Sequence, residues 1–365
     1  MSDKWRAEGE AVFVISAGHP LLGMEIVARD LLRALHESAA VELVIGAGQT
    51  WVGEPFRQRS LGTDLKGWRR VFLVPRFWKW SRSNRHGVVV VAGVWAAIPW
   101  LLAAPRQRCV IWEHSLSREK IQTSRGLRVL SRIVPPLYRR AWRVVCVSTA
   151  LADDLTDLTG REDIVVIPNV VETEGSRPSA PVDAEWPPRR LLCVGSLTNT
   201  KRQATAIEAM TSLDEASTLT IAGDGPESQR LADLVSRLGV EHRVQFLGHV
   251  SRERVLDLMA ESDVLVHPAA GETFGMVLIE AAQLGLPVIA VDTPHSQEFV
   301  PRYVPGAVFD GTAEGLAQQL TAAETPVSPG QRVSAASARA EYLTTSAIVS
   351  RWLELIDSAS MKSSS

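Results

Sequence analysis

Two consecutive doubly wound α/β domains facing across a cleft are the architecture this sequence predicts, on three observations. The chain has 365 residues, about twice the length of a typical domain, so two domains are the default. Short β-branched runs alternate with amphipathic segments of helical spacing, the pattern of parallel strands joined by helical crossovers. That alternation breaks off once, at a stretch rich in Pro, Ser and acids, and then resumes.

In the first half, strands are predicted at AVFVIS (11–16), VELVIG (41–46), VFLVP (71–75), VVVVAG (88–93), CVIWEH (109–114), VVCVS (144–148) and IVVIP (164–168). MEIVARDLLRALHE (24–37) has the apolar stripe of a helix lying on such a sheet. One stretch imitates a membrane span: from Gly87 to Pro105 nineteen residues carry no charge, which meets the length criterion. VVVVAG nevertheless reads as a strand ending in Gly, and WAAIPWLLAA as a short helix with a Pro near its middle, so strand plus helix is preferred. VETEGSRPSAPVDAEWPP (171–188) lacks periodicity and reads as a linker. Strands then resume at LLCVGSL (191–197), LTIAG (219–223), VQFLG (244–248), VLVHP (264–268) and PVIAV (287–291), and a last helix is expected over ARAEYLTTSAIVSRWLELI (338–356). The predicted domains are 1–170 and 189–335, followed by a C-terminal helix and polar tail at 336–365 whose packing on the first domain is left open.

With 45% hydrophobic residues the chain can build large cores and is not disordered. Cys109, Cys146 and Cys193 lie singly in strand-like runs without CxxC spacing. That favours buried thiols in a reducing compartment over a disulfide frame or a zinc site. The N-terminal MSDKWRAEGE lacks the charged-then-apolar pattern of a signal peptide, so a cytoplasmic protein is expected.

Residues 267–290, HPAAGETFGMVLIEAAQLGLPVIA, place Glu272 and Glu280 eight positions apart. VLVHP before them and PVIAV after them are strands, and MVLIEAAQ between is a helix that Gly285 ends. Glu272 then sits in the loop at the carboxyl end of a strand, the edge where open parallel sheets bind ligands. Glu280 lies about a turn and a half into the helix among Leu278, Ile279, Ala281 and Ala282. A carboxylate embedded there requires a partner. The residues allow two readings: an ordinary helix acid, or a pair that grips a polyhydroxylated ligand while Thr273 to Met276 offer backbone N–H groups at a helix start.

The motifs resemble those of GT-B glycosyltransferases, specifically the large retaining family 4, over most of the chain. GMEIVARDLLRAL is similar to the family's first crossover helix, VSTALADDL to its "vS-x-a-l" segment and IPNVVE to its "iPNGvd" element. VGSLTNTKR resembles "vGRl-x3-KG", IAGDGPESQRL resembles "G-x-GP", and the E-x7-E stretch is the most specific match. The resemblance implies a GT-B fold of two Rossmann-like domains and retaining transfer from a nucleotide-sugar donor. It assigns Glu280 to the ribose hydroxyls, which a carboxylate accepts as a pair, and Glu272 to the donor sugar. The backbone of Phe274, Gly275 and Met276 would reach the sugar and diphosphate, and Lys201 would pair with the diphosphate. His114 matches a histidine placed against the donor sugar, with a plain strand-end histidine as the alternative. Glu113 beside it is a candidate base, although strand neighbours point to opposite faces. Gly23 is assigned to the "GG-x-E" element.

Departures from the family pattern are informative. Ser196 stands where the usual Arg of "GRL" is found, and Arg202 is the candidate to compensate. TPHSQE (293–298) replaces a Gly-Gly pair, with Glu298 fitting the trailing acid. No D-x-D occurs in the chain, so no metal and no cofactor beyond the donor substrate are expected. Cation assistance would come from Lys201 and helix N-termini, in a front-face reaction that rests on positioning and stabilisation of the departing diphosphate.

The net charge of −2 hides a strong asymmetry. Residues 55–143 hold 3 Lys and 16 Arg against Asp64, Glu113 and Glu119, a net of +16, and the other residues, 20 basic and 38 acidic, net −18. Residues 66–86 interleave Trp68, Trp78 and Trp80 with basic side chains, and residues 117–143 combine Leu127, Leu130, Ile133, Val134 and Leu137 with eight more. Both read as surfaces for anionic lipid headgroups at the inner face of the cell membrane. Nucleic-acid binding is the competing use and a solvated basic face the plain one, and the aromatic interleaving favours lipid. A lipid-linked acceptor or cell-envelope glycan synthesis follows from that reading. The alternatives are a soluble small-molecule acceptor, an epimerase or phosphorylase on the same architecture, and a silent sugar-nucleotide binding partner. Donor and acceptor identities are not written in one sequence.

Overall fold

The computed structural model describes residues 11–15, 23–45, 50–61, 75–76, 78–79, 88–93, 97, 108–114, 134–171, 186–325 and 327–361. The chain divides into two compact units, Met1–Glu172 with Leu343–Ser365, and Thr173–Tyr342.

Among the described residues of the first unit, seven strands form one sheet: β1 (Ala11–Ile15), β2 (Val41–Ile45), β3 (Arg57–Ser60), β4 (Val88–Ala92), β5 (Arg108–Glu113), β6 (Arg143–Cys146) and β7 (Ile164–Val166). Their order is β3-β2-β1-β4-β5-β6-β7, and every neighbouring pair is parallel. β4 is buried at every position, as a strand covered on both faces must be. The VVVVA part of the span-like stretch is therefore sheet core. Among the described residues no helix is long and apolar enough to cross a membrane.

The helix Gly23–His36 turns Val27, Ala28, Leu31, Leu32 and Leu35 inward, a stripe that repeats with the helical period. β3 is absent from the expected strands because RQRS contains no apolar residue. Among the described strands it lies at an edge, with alternating exposure; its Arg59 pairs with Glu42 at 3.4 Å and its Gln58 side chain bonds both the N–H and the carbonyl of Trp51 at 2.8 and 2.9 Å. Charge on such an edge discourages further strand pairing. The strand expected at 71–75 lies, apart from Pro75, outside the described residues; so do the helix at WAAIPWLLAA, except Ala97, and most of the linker. Leu137 proves to be core, in the helix Val134–Arg140 beside a fully buried Tyr138. It does not contribute to a lipid-facing surface, and residues 117–133 lie outside the described residues.

Among its described residues, the second unit has six strands, β8 (Arg190–Val194), β9 (Thr218–Ala222), β10 (Val244–Gly248), β11 (Val264–His267), β12 (Val288–Val291) and β13 (Gly306–Phe309). They are ordered β10-β9-β8-β11-β12-β13 with parallel pairing throughout. Both sheets thus realise the doubly wound α/β class. β13 also escapes sequence reading, since GAVF is short and opens with Gly. At Gly306 a Cβ would stand 2.0 Å from the Val288 carbonyl oxygen.

The single helix expected over 338–356 is two helices, Pro329–Tyr342 and Thr345–Met361. The break falls at Thr344, whose hydroxyl accepts from the Ala347 N–H at 3.3 Å, as an N-cap does. The second helix belongs to the first unit. There the fully buried Trp352 packs edge-on against Phe13 and Trp112, with centroids 5.6 and 5.4 Å away. Removing a ring buried in this way costs roughly 3–5 kcal/mol. Trp352→Ala is expected to lower the urea midpoint of the first unit's unfolding accordingly, and an unchanged midpoint would contradict this packing.

Candidate functional site

The order of the second sheet creates a switch point. From β8 the chain crosses to β9 on one side, and from β11 it crosses to β12 on the other, so the loops after β8 and β11 diverge from adjacent strands. Such a crevice is where doubly wound sheets bind ligands. Here Lys201 Nζ meets Glu272 Oε2 at 2.6 Å. His267 Nε2 stands 3.5 Å from the same oxygen, and the Thr273 N–H donates to Glu272 Oε1 at 3.3 Å. Burial alone would raise the Glu272 pKa, but the His267 ring and the Lys201 ammonium outweigh it and hold the carboxyl well below its ordinary range. The two residues assigned to diphosphate and sugar thus neutralise one another.

The loop after β11 ends in a helix start. Phe274 is buried and packs edge-on against Phe299 at 5.3 Å, so its side chain is core and only its backbone borders the crevice. Gly275 takes φ 66 and ψ 60 as N-cap of the helix Met276–Gln283, and no side chain caps that end. A Cβ there would lie 2.9 Å from Leu278 Cδ1 and 3.2 Å from His295 Nε2, so both conformation and space demand glycine. The Met276 and Val277 amides precede the first backbone bond of this turn, from the Leu278 N–H to the Gly275 carbonyl at 2.9 Å, and an N-terminus of this kind suits an anion. Within the helix Glu280 is 8% exposed. Its Oε1 lies 3.0 Å from Arg252 Nη2, at the start of the helix Arg252–Glu261. The buried acid therefore has a protein partner, and its burial by itself no longer argues for a ligand.

Two glycines of GDGP explain that motif. A Cβ at Gly223 would stand 2.0 Å from the Gly195 carbonyl oxygen, and one at Gly225 would stand 2.4 Å from that of Leu197. These close approaches seat the 195–197 loop. Ser196 is exposed, and its carbonyl accepts from Gln203 Nε2 at 3.1 Å. Arg202 is the one non-glycine residue with positive φ among the described residues, at φ 50. Its Nη1 reaches to 3.8 Å from the Cβ position of Gly311. The family's Lys-Gly becomes Lys201-Arg202 here, and the arginine holds a conformation that glycine adopts freely.

Two assigned residues belong to the first unit. His114 follows β5, is 9% exposed and sits 4.3 Å from the Trp112 ring. Burial lowers its pKa to about 3, so the ring is uncharged at neutral pH. Glu113 is also buried: its Oε2 accepts from Tyr138 Oη at 2.5 Å and its Oε1 from the His114 N–H at 3.1 Å. Both neighbours are buried, and these bonds hold the Glu113 carboxylate at the end of the strand. Gly23 opens the helix Gly23–His36, and the 16–22 part of its motif lies outside the described residues.

The structure therefore gathers Lys201, Glu272, Phe274, Gly275 and Met276 at one crevice and sets Glu280 on Arg252. Sequence reading missed Arg252, His267, His295 and Gln203. Two of these had a visible signal, His267 inside the E-x7-E stretch and His295 inside the TPHSQE departure. Nothing in the sequence tied Arg252 to Glu280, 28 positions away. A left-handed arginine stores strain of about 1 kcal/mol. Arg202→Gly is therefore expected to raise the stability of the second unit by roughly that amount in denaturant titrations; a loss of stability would show that the arginine side chain anchors the loop.

The chain matches the model of the family described as Glycosyl transferases group 1 over residues 182–330, and that of Glycosyltransferase Family 4 over residues 22–174. It is similar to the phosphatidylinositol N-acetylglucosaminyltransferase GPI3 subunit of Saccharomyces cerevisiae, 29% identical over 44% of this chain and 37% of that protein. It is also similar to the glycogen synthase of Mycobacterium tuberculosis, 32% identical over 42% of this chain and 38% of that one. The chain thus spans less than two thirds of the length of these relatives. Among solved structures, Anabaena HepE in complex with UDP and glucose superposes with a TM-score of 0.76 at 21% identity, over 96% of this chain and 100% of that one, a likeness of fold. With its two family models in tandem and both sheets in the doubly wound order, the chain belongs to the group 1, family 4 glycosyltransferases and has their GT-B fold of two Rossmann-like domains.

Proposed function

We propose that the protein is a retaining glycosyltransferase that moves a sugar from a nucleotide-sugar donor to an acceptor hydroxyl. The observation that carries this is the Lys201–Glu272 pair at 2.6 Å, set beside an uncapped helix N-terminus at the switch point of the second sheet. A donor of this kind brings a diphosphate and a polyhydroxylated sugar, which match an ammonium with helix amides and a carboxylate. HepE, similar in fold, is described in complex with UDP and glucose, which supports a nucleotide diphosphate as part of the donor.

On this reading donor binding opens the ion pair. Lys201 turns to the diphosphate, and the freed Glu272 accepts sugar hydroxyls. Glu280, shared with Arg252, takes the ribose. As the sugar–oxygen bond breaks, negative charge grows on the leaving diphosphate, and Lys201 and the amides at Gly275–Met276 stabilise it without a metal.

The names of the relatives point to different acceptors, a phosphatidylinositol in one and a glucan in the other. A lipid-linked acceptor is the reading we prefer, because in the 66–86 stretch the described residues Pro75, Arg76, Trp78 and Lys79 are all exposed, Trp78 by 49%. An exposed Trp beside cations suits a peripheral membrane contact.

Thermal-shift screening against UDP-, GDP- and ADP-sugars identifies the donor, since a ligand of the native state raises apparent stability. With that donor, Lys201→Ala is expected to lower kcat about a hundredfold or more, the scale of one lost charge stabiliser, while Glu280→Gln raises KM with a smaller effect on kcat. Normal kinetics in both variants would place the donor site elsewhere, and free sugar or epimer formed without acceptor would favour a phosphorylase or epimerase.

For the membrane reading, the protein is expected to co-sediment with phosphatidylserine vesicles but not with pure phosphatidylcholine, and less so in high salt. Each basic residue near an anionic surface contributes about 1 kcal/mol, so Arg76→Ser with Lys79→Ser should weaken binding by more than about tenfold. Equal binding to both vesicle types, or none, would favour a soluble acceptor.

A further inference from the structure

The TPHSQE departure puts His295 in the first turn of the helix Pro294–Phe299, directly after β12. The side chain is 4% exposed, and neither ring nitrogen has a partner at hydrogen-bonding geometry, although the Phe274 backbone passes nearby. Phe299, at 4.4 Å, covers a ring face and supplies no polar group. Leaving two buried polar atoms unmatched is unfavourable, so the position calls for a reason. Helix Pro294–Phe299 is held firmly enough to sustain it. A reciprocal capping box links Thr293 and Ser296 at 2.8 and 3.1 Å, and the Ser296 hydroxyl also donates to the Val291 carbonyl at 2.5 Å. The ring is therefore pre-positioned and not free to seek a partner.

Its surroundings indicate what would satisfy it. Nε2 lies 3.2 Å from the Cβ position of Gly275, which places it beside the uncapped N-terminus of the helix Met276–Gln283. The charges of Glu272 and Lys201 both act on the ring. Burial, the largest influence, lowers its pKa to about 4. At neutral pH the imidazole then carries one N–H donor and one bare acceptor nitrogen. An anion seated on the Gly275–Met276 amides would meet that donor.

We propose that His295 is a donor-binding residue whose Nε2–H donates to an oxygen of the diphosphate held at the Gly275–Met276 amides. The proposal rests on the donor-site reading above. It joins the two departures from the family pattern: Ser196 brings no cation to the diphosphate, and His295 brings a neutral donor from the opposite loop. Because the donor is neutral, it adds a hydrogen bond without raising the positive charge that Glu272 already balances on Lys201.

The test is isothermal titration of the full chain with UDP, GDP and ADP, continued with whichever binds wild type most tightly and with the matching nucleoside. His295→Ala is expected to weaken the nucleoside diphosphate about ten- to a hundredfold, the scale of a hydrogen bond to a charged group. Nucleoside affinity should hold within about twofold. His295→Gln, which carries an N–H near the place of Nε2, should recover most of the loss, and His295→Asn, whose amide sits near Nδ1, should not. If His295→Ala does not fold, the Gln and Asn variants decide, and equal binding by both overturns the assignment to Nε2. Unchanged diphosphate affinity in His295→Ala, or equal losses for diphosphate and nucleoside, overturns the proposal. In either case, weakened diphosphate binding by Lys201→Ala would leave the donor-site reading standing. Failure of all three nucleoside diphosphates to bind wild type would overturn both.

Discussion

The parallel pairing of β8 with β11, Leu191 beside Val264 and Leu192 beside Leu265, is the constraint on which the second unit turns. At the entry to the pair, the Asp263 carboxylate accepts the backbone N–H groups of Arg189 and Arg190 at 3.0 and 2.8 Å and the Arg190 guanidinium at 2.6 Å. Burial would raise the Asp263 pKa, but these hydrogen bonds outweigh it and hold the carboxyl below its ordinary value. The lock therefore persists through neutral pH and weakens only as pH falls through that depressed pKa. At the exit of the same pair stands the Lys201–Glu272 bridge. One carboxylate fixes the register of the strands, and the other occupies the crevice that the register creates.

The crevice is held by opposed demands. Bringing Lys201 and Glu272 partly out of water is unfavourable, and their contact at short range offsets that loss. The same pairing keeps both side chains ordered, and under the proposed donor-site assignment binding would reduce to an exchange of partners. Close backbone approaches make the exchange local. Gly223 and Gly225 press the 195–197 loop into place, while Gly275 presents the helix amides at the other side. His295, fixed by its capping box, adds a buried polar ring to the same wall.

Much of this was legible in advance, and particular residues show why. β4, β11 and β12 announced themselves because strands buried on both faces must be continuously apolar. The helix Gly23–His36 did so through its stripe. β3 did not, because an edge strand is selected for charge and alternation fails there as a signal. The break at Thr344 was hidden for a different reason: threonine is tolerated within helices, and only its use as a cap ends one. Leu137 illustrates the limit of composition. In a basic, aliphatic stretch it suggested a surface for lipid, yet it packs beside Tyr138 because the helix has a buried side.

By itself the sequence determined the doubly wound class, the alternation of strands with helical crossovers, and the place of Lys201 and Glu272 after strands, of Gly275 at a helix start and of Glu280 within that helix. These follow from periodicity and local turn chemistry, which are properties of neighbours along the chain. Tertiary structure alone decided who meets whom: Lys201 with Glu272, 71 positions apart, Arg252 with Glu280, Tyr138 with Glu113, and His295 with the space over Gly275. Such partnerships depend on which strands become adjacent and how closely their loops pack. No local pattern carries that information, because hydrogen bonds and ion pairs act over a few ångströms in space whatever the separation in sequence.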